Sequence, residues 1–434
     1  MKTKEKIQRV NIITLGCAKN RVDSEVLLTQ LRANAIEAEH ETHKKCDIVI
    51  INTCGFIDKA KEESIQAIVE YAEKKKKGKI EKLYVTGCLS ERYKNELAQE
   101  LPEVDAFFGT MELPALLQKF QANYKKELIG ERQITTDSHY AYLKISEGCN
   151  RPCSFCAIPL MRGKHVSRSM DSLIEEAKFL VSKGVKELIL IAQDLTFYGL
   201  DLYKKRKLAD LLYKLSDIPG LEWIRLLYAY PAGFPLDILK PMQERSNICK
   251  YLDMPLQHAS NKILTSMKRG ITKEKTLDLL QTIREKVPDI ALRTTFIVGY
   301  PGETENDFEE LCDFVQQVKF DRVGVFTYSH EENTAAYALN DDVPEEIKEQ
   351  RKADLMYLQQ EISWQKNQNH VGKVLKILID RKEGNYFIGR TEYDSPEVDN
   401  EVVIDATDLK IGEFYFVQIE KAEEFDLFGK VIPK

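Results

Sequence analysis

No run of apolar residues in this 434-residue chain approaches the length of a membrane span. The opening stretch MKTKEKIQRVNIITLG is basic but lacks the apolar core of a secretory leader. Excess positive charge is also missing. Lys and Arg number 63 against 69 Asp and Glu, a net charge of −6, which argues against a protein whose main task is gripping nucleic acid. No low-complexity segment stands out, and the run Lys74–Lys77 reads as a solvated helix end. These absences point to a cytoplasmic protein with no membrane partner. Its nine cysteines are an odd number, and in a reducing compartment clustered cysteines bind metal or do redox chemistry more often than they form bridges.

What is present is a repeat. VNIITLGC, CDIVIINTC and KLYVTGC each read as a strand that ends on a cysteine, at Cys17, Cys54 and Cys88, and each is followed by a helical pattern. The cysteines are 37 and 34 residues apart, which suits one βα step each. Such units predict a parallel sheet whose ligands gather beyond the carboxyl ends of its strands. Cys46 opens its strand and falls at the opposite end.

After a connector, KKELIGERQITTDS, strands and helices alternate again. YAYLKISEGC, KELILIAQDL, EWIRLLYAYP, KYLDMPLQH, ALRTTFIVGYPGE and DRVGVFTYSH are six strands, which predicts a parallel barrel, complete or partial. Between the first two, Leu173, Ile174, Ala177, Leu180 and Val181 share one helical face, with Gly184 as terminator. A long polar helix is expected over residues 345–368. Beyond Gly372, KVLKILID, YFIGRTEY, EVVIDA, FYFVQIEKA and LFGKVI predict a small closed β-barrel of OB-like size. The expected class is therefore α/β with three domains, at residues 8–124, 135–366 and 367–434.

The densest signal is EGCNRPCSFCAIP, where Cys149, Cys153 and Cys156 are spaced C-x3-C-x2-C at the end of the first barrel strand. Three thiolates leave a tetrahedral site one ligand short. Two chemistries fit: a zinc site completed by His165, or an iron–sulfur cube held at three corners with its fourth iron open. Cys17, Cys54 and Cys88 form a second set of three, in settings rich in small and polar residues. Cys46, Cys249 and Cys312 remain, and each reads as an ordinary core or surface residue.

On these residues the chain resembles the radical S-adenosylmethionine (SAM) enzymes, whose signature is C-x3-C-x2-C with an aromatic residue such as Phe155 before the last cysteine. The resemblance implies that Cys149, Cys153 and Cys156 bind a 4Fe-4S cluster that cleaves SAM. It implies that Gln193 and Asp194 in IAQDL, and Gly299, Gly302 and Glu303 in FIVGYPGE, help to hold SAM. With the second triad and the C-terminal barrel, the whole chain is similar to the methylthiotransferase family, built of an N-terminal three-cysteine domain, a radical SAM partial barrel and a TRAM barrel. The family pattern implies a second 4Fe-4S cluster on Cys17, Cys54 and Cys88. It also implies that SAM serves both as methyl donor and as radical source, and that a sulfur donor and an electron-donor protein take part.

The family has a branch acting on adenosine in tRNA and a branch acting on an aspartate of ribosomal protein S-twelve. YLDMPLQHAS, GRTEYDSPEVDN and IPLMRG resemble the second. From Val371 onward the barrel has 9 basic and 14 acidic residues. Such a barrel repels phosphate and suits a basic ribosomal protein.

Overall fold

The computed structural model describes residues 8–128 and 130–432; the basic opening over residues 1–7 lies outside them. The described chain divides into two compact units.

The first unit comprises Met1–Thr136, Tyr142–Asn150 and Cys156–Leu180. Its sheet is built from β1 (Arg9–Thr14), β2 (Glu37–His40), β3 (Ile48–Thr53), β4 (Lys82–Gly87) and β5 (Ala106–Phe107) in the order β2-β1-β3-β4-β5. Every pairing is parallel. The central strand β3, IVIINT, is buried at all six positions, as a run of β-branched residues covered on both faces must be. Helices α1 (Ala18–Ala33), α2 (Asp58–Lys76), α3 (Cys88–Glu100) and α4 (Leu113–Gln118) connect and flank the strands. Two apolar cores line the sheet, one around Ile12, Leu31 and Ile50 and one around Val49, Ile51 and Ile68.

Strand β6 (Tyr140–Lys144) is followed by β7 (Ser146–Glu147), α5 (Ile158–Arg162), β8 (Val166–Ser167) and α6 (Met170–Ser182). On α6, Leu173, Ala177 and Leu180 are buried as expected, but Ile174 and Val181 are half-buried and Glu176 is fully enclosed. Glu176 lies on the apolar face because its carboxylate accepts from Arg132 Nε at 2.7 Å and Arg168 Nη1 at 2.5 Å. Arg132 also pairs with Glu25.

The second unit comprises Asp137–Ala141, Arg151–Phe155 and Val181–Lys434. Its strands β9 (Glu187–Ile191), β10 (Trp223–Leu226), β11 (Ile248–Asp253), β12 (Ala291–Val298) and β13 (Arg322–Thr327) belong to a six-stranded open sheet of order β13-β12-β11-β10-β9-β6. Chain order and spatial order coincide, as in a partial (β/α) barrel. The intervening helices are α7 (Leu200–Tyr203), α8 (Leu208–Ser216), α9 (Leu239–Glu244), α10 (Asn261–Ser266), α11 (Lys273–Lys286) and α12 (Glu305–Val318). Helix α13 spans Glu345–Gln368, matching the polar helix read from the sequence. Five further strands, β14 (Val374–Glu383), β15 (Tyr386–Arg390), β16 (Glu401–Asp405), β17 (Phe414–Ala422) and β18 (Asp426–Val431), close into the small barrel.

Within this unit the loop of GRTEYDSPEVDN latches the small barrel to residues of the parallel strands. Arg225 donates to the Glu392 carbonyl at 2.7 Å, Tyr251 Oη to Asp399 at 2.6 Å, and Arg322 to Asp394 at 2.5 Å. Glu187 accepts from Arg225 at 2.7 Å and from Arg390 at 2.8 Å; Arg390 continues to Asp380, and Asp380 to His139. Arg225 and Glu187 are completely buried. The acidic count of the barrel is therefore partly internal: the enclosed carboxylates of Asp380, Asp394 and Asp399 are paired with Arg390, Arg322 and Arg293.

Burial alone would raise the Glu187 carboxyl; Arg390 and Arg225 more than reverse this and hold it below its ordinary value of 4.5. Asp380 is likewise held low against its burial, by Arg390 and His139. A carboxylate depressed in the folded state contributes stability above its unfolded pKa and loses it as pH falls. Unfolding stability of the second unit is therefore expected to decline from about pH 4.5 downward. Replacing Glu187 by Ala strands two buried guanidinium groups and is expected to cost about 3–5 kcal/mol in urea unfolding at neutral pH.

Candidate functional site

The three N-terminal cysteines are delivered by three adjacent strands. Cys17 caps α1 just after β1, Cys54 directly follows β3, and Cys88 opens α3 directly after β4. Neighbouring strands lie roughly 4.8 Å apart, so these strand ends span about 10 Å. Cys54 and Cys88 are buried and Cys17 is exposed, which leaves the group open on one side. Burial pushes the Cys54 thiol up to about 12, with a hydrogen bond from Phe56 opposing this and the nearby Cys17 and Cys88 reinforcing it. The Cys88 thiol is raised by burial too, and Arg162 pulls against that shift.

Backbone conformation makes the approach feasible. Gly16 has φ +87°, and a Cβ there would stand 2.6 Å from Cys54 Cβ and 2.9 Å from its Sγ. Gly87 has φ +101°, and a Cβ would press to 2.5 Å on the Thr53 carbonyl. Both positions need glycine for reach as well as for conformation.

Asn20, fully buried, ties the loops together. Its Nδ2 donates to the Leu15 carbonyl at 2.9 Å and to the Thr53 carbonyl at 3.0 Å, and its Oδ1 lies 3.8 Å from Cys88 Sγ. Asn52 Nδ2 in turn donates to the Asn20 carbonyl at 2.9 Å. Arg162, in IPLMRG, donates from Nε to Cys88 Sγ at 3.3 Å. Sequence reasoning did not assign Asn20 to the site; an amide three residues past a strand-end cysteine is the only local sign of it.

In the second triad, Cys149 and Cys156 belong to the first unit and Cys153 to the second. All three are half-buried. The Cys149 amide donates to the Gly163 carbonyl at 3.1 Å. Cys153 Sγ accepts from Arg269 Nη1 at 3.1 Å and lies 3.6 Å from Tyr230 Oη. Two guanidinium groups lie over the Tyr230 ring, Arg151 at 4.0 Å and Arg269 at 4.3 Å from its centroid. Phe155 packs against buried Ile263, Met267, Tyr300 and Tyr328, which anchors the segment.

The residues expected around SAM lie past β9 and β12, at carboxyl ends of the parallel strands. Asp194 accepts from Arg151 Nε at 2.7 Å and from the Thr196 amide at 2.8 Å, so it fixes Arg151 beside Cys153. Gln193 adjoins it. Gly299 and Gly302 both have positive φ, and Glu303 accepts from the Gly299 amide at 2.9 Å and from Arg351 Nη1 at 2.8 Å. His258 of QHAS is buried with Nε2 3.3 Å from Glu303, so that motif packs beside the carboxylate that holds the glycine turn.

Among the described residues no three His, Cys, Asp or Glu side chains are drawn together as ligands of a single ion. His165 is buried, with Nε2 3.0 Å from Ser167 Oγ. A cube spreads its thiolates over three separate irons, and two sets of three cysteines with no fourth protein ligand fit that donor pattern. Of the other cysteines, Cys249 is buried in the second unit, Cys46 packs on the first unit's core, and Cys312 is half-buried on α12.

Three family models match in succession: Uncharacterized protein family UPF0004 over residues 9–109, the Radical SAM superfamily over 143–315, and the TRAM domain over 371–432. The ribosomal protein uS12 methylthiotransferase RimO of Cytophaga hutchinsonii is 62% identical over 427 residues, 98% of each chain. The chain belongs to the uS12 methylthiotransferase family. Its counterpart from Christiangramia forsetii is 59% identical, covering 99% of this chain and 96% of that one. Among solved structures, the radical SAM methyltransferase TsrM from Kitasatospora setae, with tryptophan and a SAM analogue bound, superimposes at a TM-score of 0.56. At 14% identity, over 73% of this chain and 72% of that one, it shares the fold alone.

In this family member, Gly16→Ala forces a Cβ into Cys54 at a positive-φ position. The variant is expected to lose about 1 kcal/mol or more of stability. If Cys17, Cys54 and Cys88 hold a cluster, iron and sulfide after anaerobic reconstitution should fall to about half the parent value, read by colorimetric assay, because Cys149, Cys153 and Cys156 are untouched.

Proposed function

We propose that this protein is a radical SAM methylthiotransferase that replaces a hydrogen on the β-carbon of an aspartate in ribosomal protein uS12 by a methylthio group. The observation that carries the reading is 62% identity across nearly the full length to a uS12 methylthiotransferase. The two cysteine triads support it. Cys149, Cys153 and Cys156 would hold one 4Fe-4S cluster, and Cys17, Cys54 and Cys88 the other. When bound, the clusters supply the electron that cleaves SAM and a place for the sulfur to be transferred. A radical is required because no side-chain base removes a proton from such a carbon near neutral pH.

The chain's own residues prepare these places. Arg269 and Tyr230 orient Cys153, while Asp194 holds Arg151 against the same tyrosine. Gln193 and Asp194 past β9, and Gly299 and Gly302 past β12, form the rim proposed to hold SAM, with Glu303 fixing the glycine turn. SAM serves as methyl donor and, in a second molecule, as radical source. The partners are uS12, a sulfur donor and an electron-donor protein, and the setting is the cytoplasm. Among the described residues no helix is long and apolar enough to cross a membrane.

The test is anaerobic reconstitution with iron and sulfide, followed by SAM, a reductant, and either uS12 or unmodified tRNA. Mass spectrometry is expected to find one methylthio group on an aspartate of uS12. Appearance of that group on tRNA adenosine instead would overturn the substrate assignment and keep the chemistry. Alanine at any one of the six cysteines abolishes the product, whereas Cys312→Ala leaves it.

A further inference from the structure

Arg162 lies six residues beyond Cys156, yet its guanidinium is directed at the other triad. The side chain is 4% exposed. Nε donates to Cys88 Sγ at 3.3 Å, Nη1 to Asp23 at 2.5 Å, and Nη2 to Asn20 Oδ1. Glu147 stands 3.4 Å from Nη1, and Lys144 bridges Asp23 and Glu147 from the other side. The quartet Arg162, Lys144, Asp23 and Glu147 is formally neutral. What Arg162 adds to the triad is therefore a directed N–H donor more than net charge. A planar guanidinium anchored at both terminal nitrogens fixes the direction of the third, and an ammonium on a flexible stem cannot. The segment is also packed in place: Ala157 and Met161 are buried against Cys88, and the Met161 carbonyl accepts from Thr110 Oγ1 at 2.6 Å.

We propose that Arg162 is a positioning residue for the sulfur-carrying centre, whose Nε–H donates to the Cys88 sulfur and raises that centre's reduction potential. Hydrogen bonds to cysteinyl sulfur favour the more electron-rich, reduced state of an iron–sulfur cluster. The segment that follows the SAM-cleaving cysteines thereby sets the electronic state of the second centre. The inference rests on Cys17, Cys54 and Cys88 being cluster ligands.

The test uses the full chain with Cys149, Cys153 and Cys156 replaced by alanine, so that a single cluster remains after reconstitution. Iron is counted, and the cluster's potential is read by redox titration followed by electron paramagnetic resonance. In this background R162K and R162M are expected to bind as much iron as the parent and to titrate at a lower potential, R162M lowest. Parent-like potentials in both variants overturn the proposal. So does folded protein that binds no cluster in either, since the arginine is then purely a scaffold for the ligands. A further chain with Cys17, Cys54 and Cys88 also replaced separates the two layers of the argument: if it still takes up the same iron, the ligand assignment itself is wrong.

Discussion

Three cysteines separated by 37 and 34 residues are delivered to one edge of a sheet by backbone alone. A parallel sheet does this because every strand of a βα repeat ends on the same edge. Here the three cysteine-bearing strands, β1, β3 and β4, are also immediate neighbours. The fold thus fixes the cysteines to within a few strand spacings, and the remaining adjustment is local. Gly16 and Gly87 remove the Cβ atoms that would block the approach, and Asn20 joins the carbonyls leading into two of the thiols. Burial disfavours ionisation of Cys54 and Cys88, so holding the proposed cluster would require displacing their protons. The surrounding amides and the Arg162 donor favour the charged sulfurs that result.

Much of this was legible in the sequence because it is periodic. Strand, cysteine and helix recur three times, and the six later strands and the five of the small barrel all form where alternation of residue type places them. In the two parallel sheets the strands that pattern reading passes over are β2, the polar EAEH, and β5, only two residues long; the two-residue β8, paired with β7, escapes it as well. Neither β2 nor β5 has enough alternating apolar residues to announce itself, and each is held at a sheet edge by one neighbour. The site residues that were missed act across long separations. Arg162 reaches Cys88 over 74 positions, and Arg132 reaches Glu25 over 107. No local pattern encodes such partners. Glu176 shows the same limit: an acidic residue on an apolar helix face reads as an interruption until its two arginines are seen.

Charge count is a coarse guide in the C-terminal barrel. The C-terminal barrel is acidic by count, and the count suggested a surface for a basic partner. Yet Asp380, Asp394 and Asp399 are enclosed, each on an arginine, and Glu187 from β9 binds Arg390 of the barrel. A net charge says nothing about location. Such buried pairs are weak contributors to net stability, since desolvation consumes most of the attraction. Their directional hydrogen bonds instead discriminate between seatings of the barrel, because a shifted loop would cost Arg225 the Glu392 carbonyl, Arg293 its bond to Asp399 and Arg322 its bond to Asp394. On this account GRTEYDSPEVDN is above all an internal latch.

The same economy appears at the strand ends. Asp194 and Glu303 occupy places from which a carboxylate could meet a ligand, but each is already engaged, Asp194 with Arg151 and the Thr196 amide, Glu303 with Arg351 and the Gly299 amide. Their effect is to hold other groups: one guanidinium beside Cys153, and one glycine turn past β12. An enzyme that handles radicals must keep its reactive partners aligned while water and oxidisable side chains stay out of reach, and rigid backbone does this better than mobile acids. The carboxylates therefore act through what they immobilise: Arg151 against the Tyr230 ring, and the turn at Gly299.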